Sequence, residues 1–465
     1  MQRTVNAGLR QLLLCSRSYP AFFVLQEDSM DLLNGKIRSV YFKYVAISFG
    51  SCMLQCIYTL VDMAMVGQYY GPIGTAAMSM AMPIVSFIYS LAMFAGVGGA
   101  VLYSQKRGQQ SGDENQYFTA SIVFNAIIAL LAWFVVFVFN RPILHLLGAD
   151  GTLLDMAVDY LGAIKFAVPA FVFNNMLASF LRNDNAPGLA SVAIVAGGVF
   201  NMFGDWFFVF ALDMGIFGAG LATASGAVLS FVLLLTHFAT KKCTLKLTRF
   251  NGFAKKAGSI FINGFSAFLT DFAPGVLTVM FNYQVLRLLG TDALAVYGVI
   301  ANYSLVLMSC AYSAGQAAQP ILSINYGAGK TDRVMETRKY ATATSFAFGI
   351  IFTTVLFLIP NTIVGFFMKP TEAVLTIAPA IMRAYGISFI LMPFNMFSTY
   401  YFQSVAQARV SMAVSLGRGL VLSGILIFLL PVLFGNSALW FTMPVAEFAV
   451  AIIATVCMKK KQSIS

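Results

Sequence analysis

Charge is scarce in this chain. Of its 465 residues only 10% are Asp, Glu, Lys or Arg, 59% are hydrophobic, and mean hydropathy is +0.80. A water-soluble protein of this length does not have that composition. Histidine is nearly absent. His145 and His237 are the two in the sequence, both near the ends of apolar runs, which leaves zinc centres and histidine proton relays poorly supported. The six cysteines have neither ligand nor disulfide spacing. Cys52 and Cys56, one helical turn apart, read as small packing residues of a membrane helix. No His-rich cluster, paired metal-ligand motif or nucleophile–base set falls within the apolar runs, so an enzyme, a resident metal and an organic cofactor are not expected.

Apolar runs are abundant. A helix needs about 20 apolar residues to cross roughly 30 Å of hydrocarbon, and twelve runs qualify: 41–66, 73–103, 118–139, 155–180, 188–211, 214–239, 259–288, 292–318, 340–360, 374–401, 406–432 and 438–458. The expected fold is an all-α integral membrane protein of twelve transmembrane helices, its first partner the lipid bilayer. Several runs exceed 25 residues, so tilts, kinks or extensions beyond the bilayer are expected.

The second half carries a faint copy of the first. Gly71, Gly96, Gly108 and Asp113 recur as Gly290, Gly315, Gly327 and Asp332, each 219 residues on. Each mark holds the same place: the turn after one run, the middle of the next, and the polar loop beyond. Four matches in register point to two pseudo-symmetric six-helix lobes, the arrangement of secondary transporters that handle substrate between their halves. The division reads 1–39 as an amino-terminal segment, 40–240 as the first lobe, 241–257 as a basic linker, 258–458 as the second lobe and 459–465 as a tail. Residues 1–29 fit the rest badly, and Met30 is a natural start just before the first span.

The net charge of +11 could suggest nucleic acid, but its distribution rejects that partner. With the amino terminus inside, Arg141, Arg287 and Lys369 fall outside and Lys165, Arg383 and Arg418 fall within spans, while the other 23 of the 29 Lys and Arg lie in inside segments. That is a positive-inside pattern with both termini cytoplasmic.

Acids inside spans are the residues expected to carry chemistry, because a carboxylate in hydrocarbon costs at least about 2.5–3.5 kcal/mol. Asp62 lies toward the outer end of span 1. Ser51, Gln55, Tyr58 and Thr59 precede it on a polar helical stripe that must line a cavity or another helix. Asn201 and Asp205 sit one turn apart in span 5, with Gly197, Gly198 and Gly204 allowing close helix approach. Asp271 lies mid-span 7, with Thr278 and Asn282 further along a similar face, and Glu447 lies in span 12. The repeat offset sets Phe281 opposite Asp62, so the acids are not duplicated. Each acid could instead pair with Lys165, Arg383 or Arg418. Two acids sharing a weakly solvated pocket cannot both ionise cheaply, so such a pocket is expected to hold a proton or a sodium ion.

From about residue 31 to 458 the sequence resembles the multidrug and toxic compound extrusion (MATE) family, in particular bacterial and archaeal branches with a cation site in the first lobe. The matching stretches are Val61–Gly67, Asn201–Asp205 followed by Gly215–Thr223, Gln319–Lys330 and Met443–Glu447. The resemblance implies a secondary active exporter in a bacterial inner membrane, acting as a monomer on small organic cations or amphiphiles in exchange for H+ or Na+. It places the cation site at Asp62, Asn201, Asp205, Tyr160 and Thr223, with sodium possible at the first three. Asp271, Asn282, Gln55, Asn395 and Glu447 are the candidates for a substrate cavity. Other branches keep acids on spans 7 and 10, but span 10 here offers neutral Asn395, Ser398 and Thr399. The alternatives are a lipid-linked saccharide flippase of the same superfamily, which would be expected to show a more cationic cavity, and, less favoured, a membrane-embedded enzyme.

Overall fold

A long apolar segment in lipid must satisfy its own backbone N–H and C=O groups, and a helix does so within the segment. The computed structural model describes residues 31–368 and 370–462, which contain no strand. The proposed start at Met30, the outside assignment of Lys369 and the last three residues lie outside the described residues. All twelve expected spans are helical: α1 (Ile37–Tyr70), α2 (Pro72–Gly108), α3 (Glu114–Leu146), α4 (Gly151–Asn183), α5 (Pro187–Ala211), α6 (Gly215–Ala239), α7 (253–289), α8 (291–327), α9 (Thr331–Leu358), α10 (Glu372–Ser404), α11 (Ala408–Phe434) and α12 (Asn436–Lys459). Helices α7 and α8 are two separate helices joined directly through Gly290, whose backbone is not helical.

The repeated glycines prove to be repeated structure. Gly71 (φ 66°, ψ −151°) is the single residue between α1 and α2, and Gly290 (φ 83°, ψ −174°) makes the matching turn in the second lobe. Backbone of that hand is open to glycine and strained for a residue bearing Cβ. Gly96 brings α2 against α4 at Met176, and Gly315 brings α8 against α10 at Tyr400, the same helix pair in each lobe. A π-helical segment interrupts α5 at Asp205–Ala211 and α11 at Gly417–Val421.

Some boundaries differ from the sequence reading. Helix α7 begins at Phe253, so the linker is shorter than 241–257, and α9 begins at Thr331 because its first two turns are polar. Helix α12 continues to Gln462, into the segment read as a tail. Each lobe has its own core: Val66, Tyr160, Phe171 and Ile216 are buried in the first, Phe281, Val296, Met382 and Trp440 in the second. Leu130, Leu131 and Val432 are at least 61% exposed, as lipid-facing side chains are when lipid is as apolar as they are.

The ends of the bundle that carry the linker and the last helix are its basic end. From mid-depth to that end the lobes are joined: Ser90 donates to Asp271 (2.7 Å), Cys52 approaches Gln316 (4.0 Å), and Gln105 donates to the Ser404 carbonyl (2.9 Å). Asn325, Lys330 and Arg333 hold the carbonyls of Leu32, Leu33 and Gly35 ahead of α1. Helix α1 does not belong wholly to the first lobe. Its lower half stacks Tyr41 on Tyr340 and Phe49 on Phe348 of α9, while its upper half packs Tyr58 against Gly198 of α5.

Candidate functional site

Helices α5 and α6 can approach backbone to backbone because glycines face each other: a Cβ on Gly197 would lie 2.6 Å from the Gly226 carbonyl, and one on Gly226 2.5 Å from that of Gly197. A Cβ on Gly220 would likewise lie 2.1 Å from the Tyr160 carbonyl of α4. Small residues thus draw three helices together, and the polar side chains between them meet. Asn201 donates to Thr223 (3.2 Å), Thr223 lies beside Tyr160, Tyr160 donates to Asp62 (3.5 Å), and Asp62 lies beside Asp205. The five residues named from sequence are therefore one cluster. Asp205 stands where α5 passes into its π-helical turn, a deviation often found at functional sites.

The cluster has more acceptors than donors. Asp62 is 4% exposed and Asp205 0%, and Asp62 Oδ1, both Asp205 oxygens and Asn201 Oδ1 have no hydrogen-bond partner. Two carboxylates in contact and away from water repel strongly, and buried acceptors without donors are costly. One added proton or small hard cation would relieve both. Where the first lobe has Asp62, the second has Phe281 stacked on Tyr297 (5.1 Å) in its core.

One cavity adjoins the cluster and a second lies next to the first. A small one of about 60 Å³ is walled by Asn201, Thr223, Tyr58 and Asn174. A larger one of about 260 Å³ lies between the lobes and is lined by Cys52, Asp271, Tyr312, Gln316 and Tyr400. Gln55, Tyr89, Asn175 and Ile194 line both, so the small cavity beside the cluster and the central cavity share a wall. Asp271 is held by Ser90 (2.7 Å) and by Tyr312 (3.4 Å).

Three cavity candidates are corrected by the structure. Asn282 is exposed on the outside of α7. Glu447 is fully buried inside the second lobe, where Arg418 reaches Oε1 (Nη2 2.9 Å, Nε 3.2 Å) and Asn395 donates to Oε2 (2.6 Å). Neither Asn395 nor Glu447 lines the central cavity, because an acid and a base on neighbouring helices satisfy each other there. Lys165 does not reach an acid. Its ammonium lies 5.1 Å from the Phe137 ring and 5.4 Å from that of Phe166, a cation–π arrangement at the lobe's surface.

Arg182 was missed, since the apolar run of span 4 ends before it. Helix α4 continues to Asn183, and Arg182 lines the central cavity at 9% exposure with Nε unpartnered. Beyond it, Asp184 fastens the linker. It accepts from Thr244 N–H (2.9 Å), Arg107 (3.1 Å), Tyr103 (3.2 Å) and the Thr244 hydroxyl, and pairs with His237 (2.8 Å). Burial alone would raise its pKa, but the hydrogen bonds from His237 and Thr244 and the Arg107 charge hold it below the ordinary carboxylate value. Cys243 lies close enough to complete a three-ligand cluster with Asp184 and His237, but the carboxylate is already taken by these donors.

A family model described as MatE matches residues 47–207 and 267–429, well over half of the chain. The chain belongs to the MatE family. Among curated relatives it is similar to the multidrug export protein MepA of Staphylococcus saprophyticus, 23% identical over 417 residues (88% of this chain, 90% of the relative). The protein of the same name from Staphylococcus haemolyticus is 24% identical over 409 residues (86% and 89%). Solved MatE-like folds include a multidrug resistance MATE family transporter of the MOP superfamily in an outward-facing conformation, with TM-score 0.84 and 19% identity, covering 94% of this chain and 98% of that one. A MOP superfamily transporter from Pyrococcus furiosus, whose reported binding pocket has reverse polarity, aligns with TM-score 0.86 at 18% identity over 94% and 98% of the two chains.

Proposed function

We propose that this MatE-family chain is a secondary active multidrug exporter that exchanges small organic cations or amphiphiles for H+ or Na+. The observation that carries the reading is the buried pair Asp62–Asp205, whose acceptors lack donors, one wall away from a cavity between the lobes. The basic end is taken as cytoplasmic, with both termini there, and the membrane as the bacterial inner membrane. A proton or sodium ion entering from outside would be shared by the pair and relieve its repulsion, aided by Asn201, Tyr160 and Thr223. Repulsion between α1 and α5 then falls, those helices repack, and the wall formed by Gln55 and Asn175 shifts against bound cargo. For an uncharged amphiphile, one ion charge moving through ~150 mV supplies about 3.5 kcal/mol, enough for a concentration ratio of a few hundred. A monocation exchanged one for one moves no net charge and is driven by the ion's concentration gradient.

Proteoliposomes loaded with a fluorescent organic cation, with proton and sodium gradients imposed separately, test this. Asp205→Asn and Asp62→Asn keep size and hydrogen bonding but cannot change charge, so each is expected to insert normally and to lose gradient-driven export. Near wild-type export by both variants would overturn the assignment of the ion pocket. Cysteine reporters at 246 and 460 are expected to label from the cytoplasm, and an outside signal at either would overturn the orientation.

Arg182 favours a second reading of the cargo. A phosphate-bearing amphiphile, such as a lipid-linked saccharide, would find a free guanidinium in the cavity. Asp271 in the same cavity opposes it, and competition of such a compound with the organic cation in the same vesicles separates the two.

A further inference from the structure

A wide groove lies away from the ion pocket. It is about 1050 Å³, open on the lipid side of the second lobe between α9, α10 and α12. Its walls are apolar: Ala343, Phe346, Phe394, Phe448 and Ile452. Its mouth, at the basic end, is not. Arg338, Lys339 and Lys459 stand there with one acid, Glu336. The Glu336 charge faces Arg333, and the Arg338 guanidinium lies 5.9 Å from the centre of the Tyr401 ring, held over the mouth.

The dimensions select an occupant. On α9 the groove runs from Met335 to Phe346, and on α12 from Phe448 to Lys459. Eleven residues at 1.5 Å each make a trough about 16 Å deep, roughly half of the 30 Å hydrocarbon thickness. It therefore spans one leaflet, apolar along the acyl-chain depth and cationic at the level of the head groups. We propose that this groove is a binding site for one anionic phospholipid of the leaflet at the basic end. The acyl chains lie along Phe346, Phe394 and Phe448, and the phosphate is held by Arg338, Lys339 and Lys459. Basic clusters beside transmembrane helices attract anionic lipid in this way. The site is independent of the ion pocket. It also adjoins the start of α9, where Arg333 holds the segment ahead of α1, so an occupant would brace the helix that fastens the lobes.

Native mass spectrometry of the purified full chain in detergent, titrated with phosphatidylglycerol or phosphatidylcholine of identical acyl chains, tests the site. The wild type is expected to retain one phosphatidylglycerol at least tenfold more tightly than phosphatidylcholine. Each basic residue neutralised is expected to weaken that lipid about fivefold, so R338Q/K339Q/K459Q loses the preference. Glu336→Gln is expected to strengthen phosphatidylglycerol binding, and Ala343→Trp, which fills the trough, to weaken both lipids. The last two variants leave the basic residues in place and stand even if the triple variant is not recovered folded. Equal retention of the two lipids by the wild type, an undiminished preference in the triple variant, or a second copy of the chain seated in the groove would overturn the proposal.

Discussion

Gly108 of α2 and Gly327 of α8, partners in the 219-residue repeat, pack back to back across the lobe boundary. A Cβ on Gly108 would lie 2.1 Å from the Ile324 carbonyl oxygen, and one on Gly327 2.0 Å from that of Gln105. The pseudo-symmetry that relates the lobes passes through this contact, and the atoms met are backbone, which cannot swing aside. Gly108→Ala or Gly327→Ala should therefore disfavour the closed basic end by about 1–3 kcal/mol, the range for overpacking. Spin-label distances between positions 109 and 328 should show a longer population in either variant. An unchanged distribution would mean the seam is softer than its spacing implies.

The buried Arg418–Glu447 pair should matter for stability rather than coupling. Removing one partner of such a pair costs about 3–5 kcal/mol, while replacing both by apolar groups costs far less. Arg418→Met alone should lower the Tm of the detergent-solubilised protein, and R418M/E447M should recover much of it. Equal losses in single and double variants would refute that assignment.

Asp271 should tune cargo. It lines the central cavity but has no second acid beside it on α10, where Asn395 is committed to Glu447. Asp271→Asn is expected to change the apparent affinity for at least one of two dissimilar cations, with ion coupling kept. Loss of coupling for both cations, with Asp205 dispensable, would move the ion site to the second lobe.

Arg182 should act in the opposite sense. Its guanidinium repels a cation entering the cavity, so Arg182→Gln is expected to tighten binding of a permanently charged monocation and weaken that of a zwitterion. Equilibrium binding of one of each, compared with wild type, decides it.

The Asp184 lock has a defined pH dependence. Its pKa in the folded chain lies below the unfolded value of about 3.9, so its contribution is present above that value and is lost as pH falls through the folded pKa. Hydrogen exchange of residues 240–250, corrected for intrinsic rates, should show protection unchanged from pH 8 to pH 5. Asp184→Asn should speed that exchange at least tenfold at neutral pH. Protection that fades between pH 8 and pH 5, or exchange unchanged in Asp184→Asn, would overturn the assignment.

The spans could be read in the sequence because membrane insertion depends on length and composition, which a single chain displays. Asp62, Asn201 and Asp205 could be read because an acid in lipid is costly and a four-residue spacing fixes a shared face. Glu447 could not be assigned by the same logic. Its partner Arg418 is 29 residues away on another helix, and periodicity within one helix carries no information about neighbours. Arg182 escaped for a different reason: helices outlast the apolar runs that reveal them, and the cavity extends past the point where α4 stops being apolar.

Helix α1 ties the proposed ion pocket to the seam between the lobes. One rod of 34 residues carries Asp62 near its top and the Tyr41 and Phe49 stacks on α9 near its foot. In the proposed exchange it would act as a lever about the mid-depth contact of Cys52 with Gln316. A tilt of a few degrees at the pocket, where one charge is gained or lost, moves the foot by ångströms in the opposite direction, at the side where the lobes are fastened.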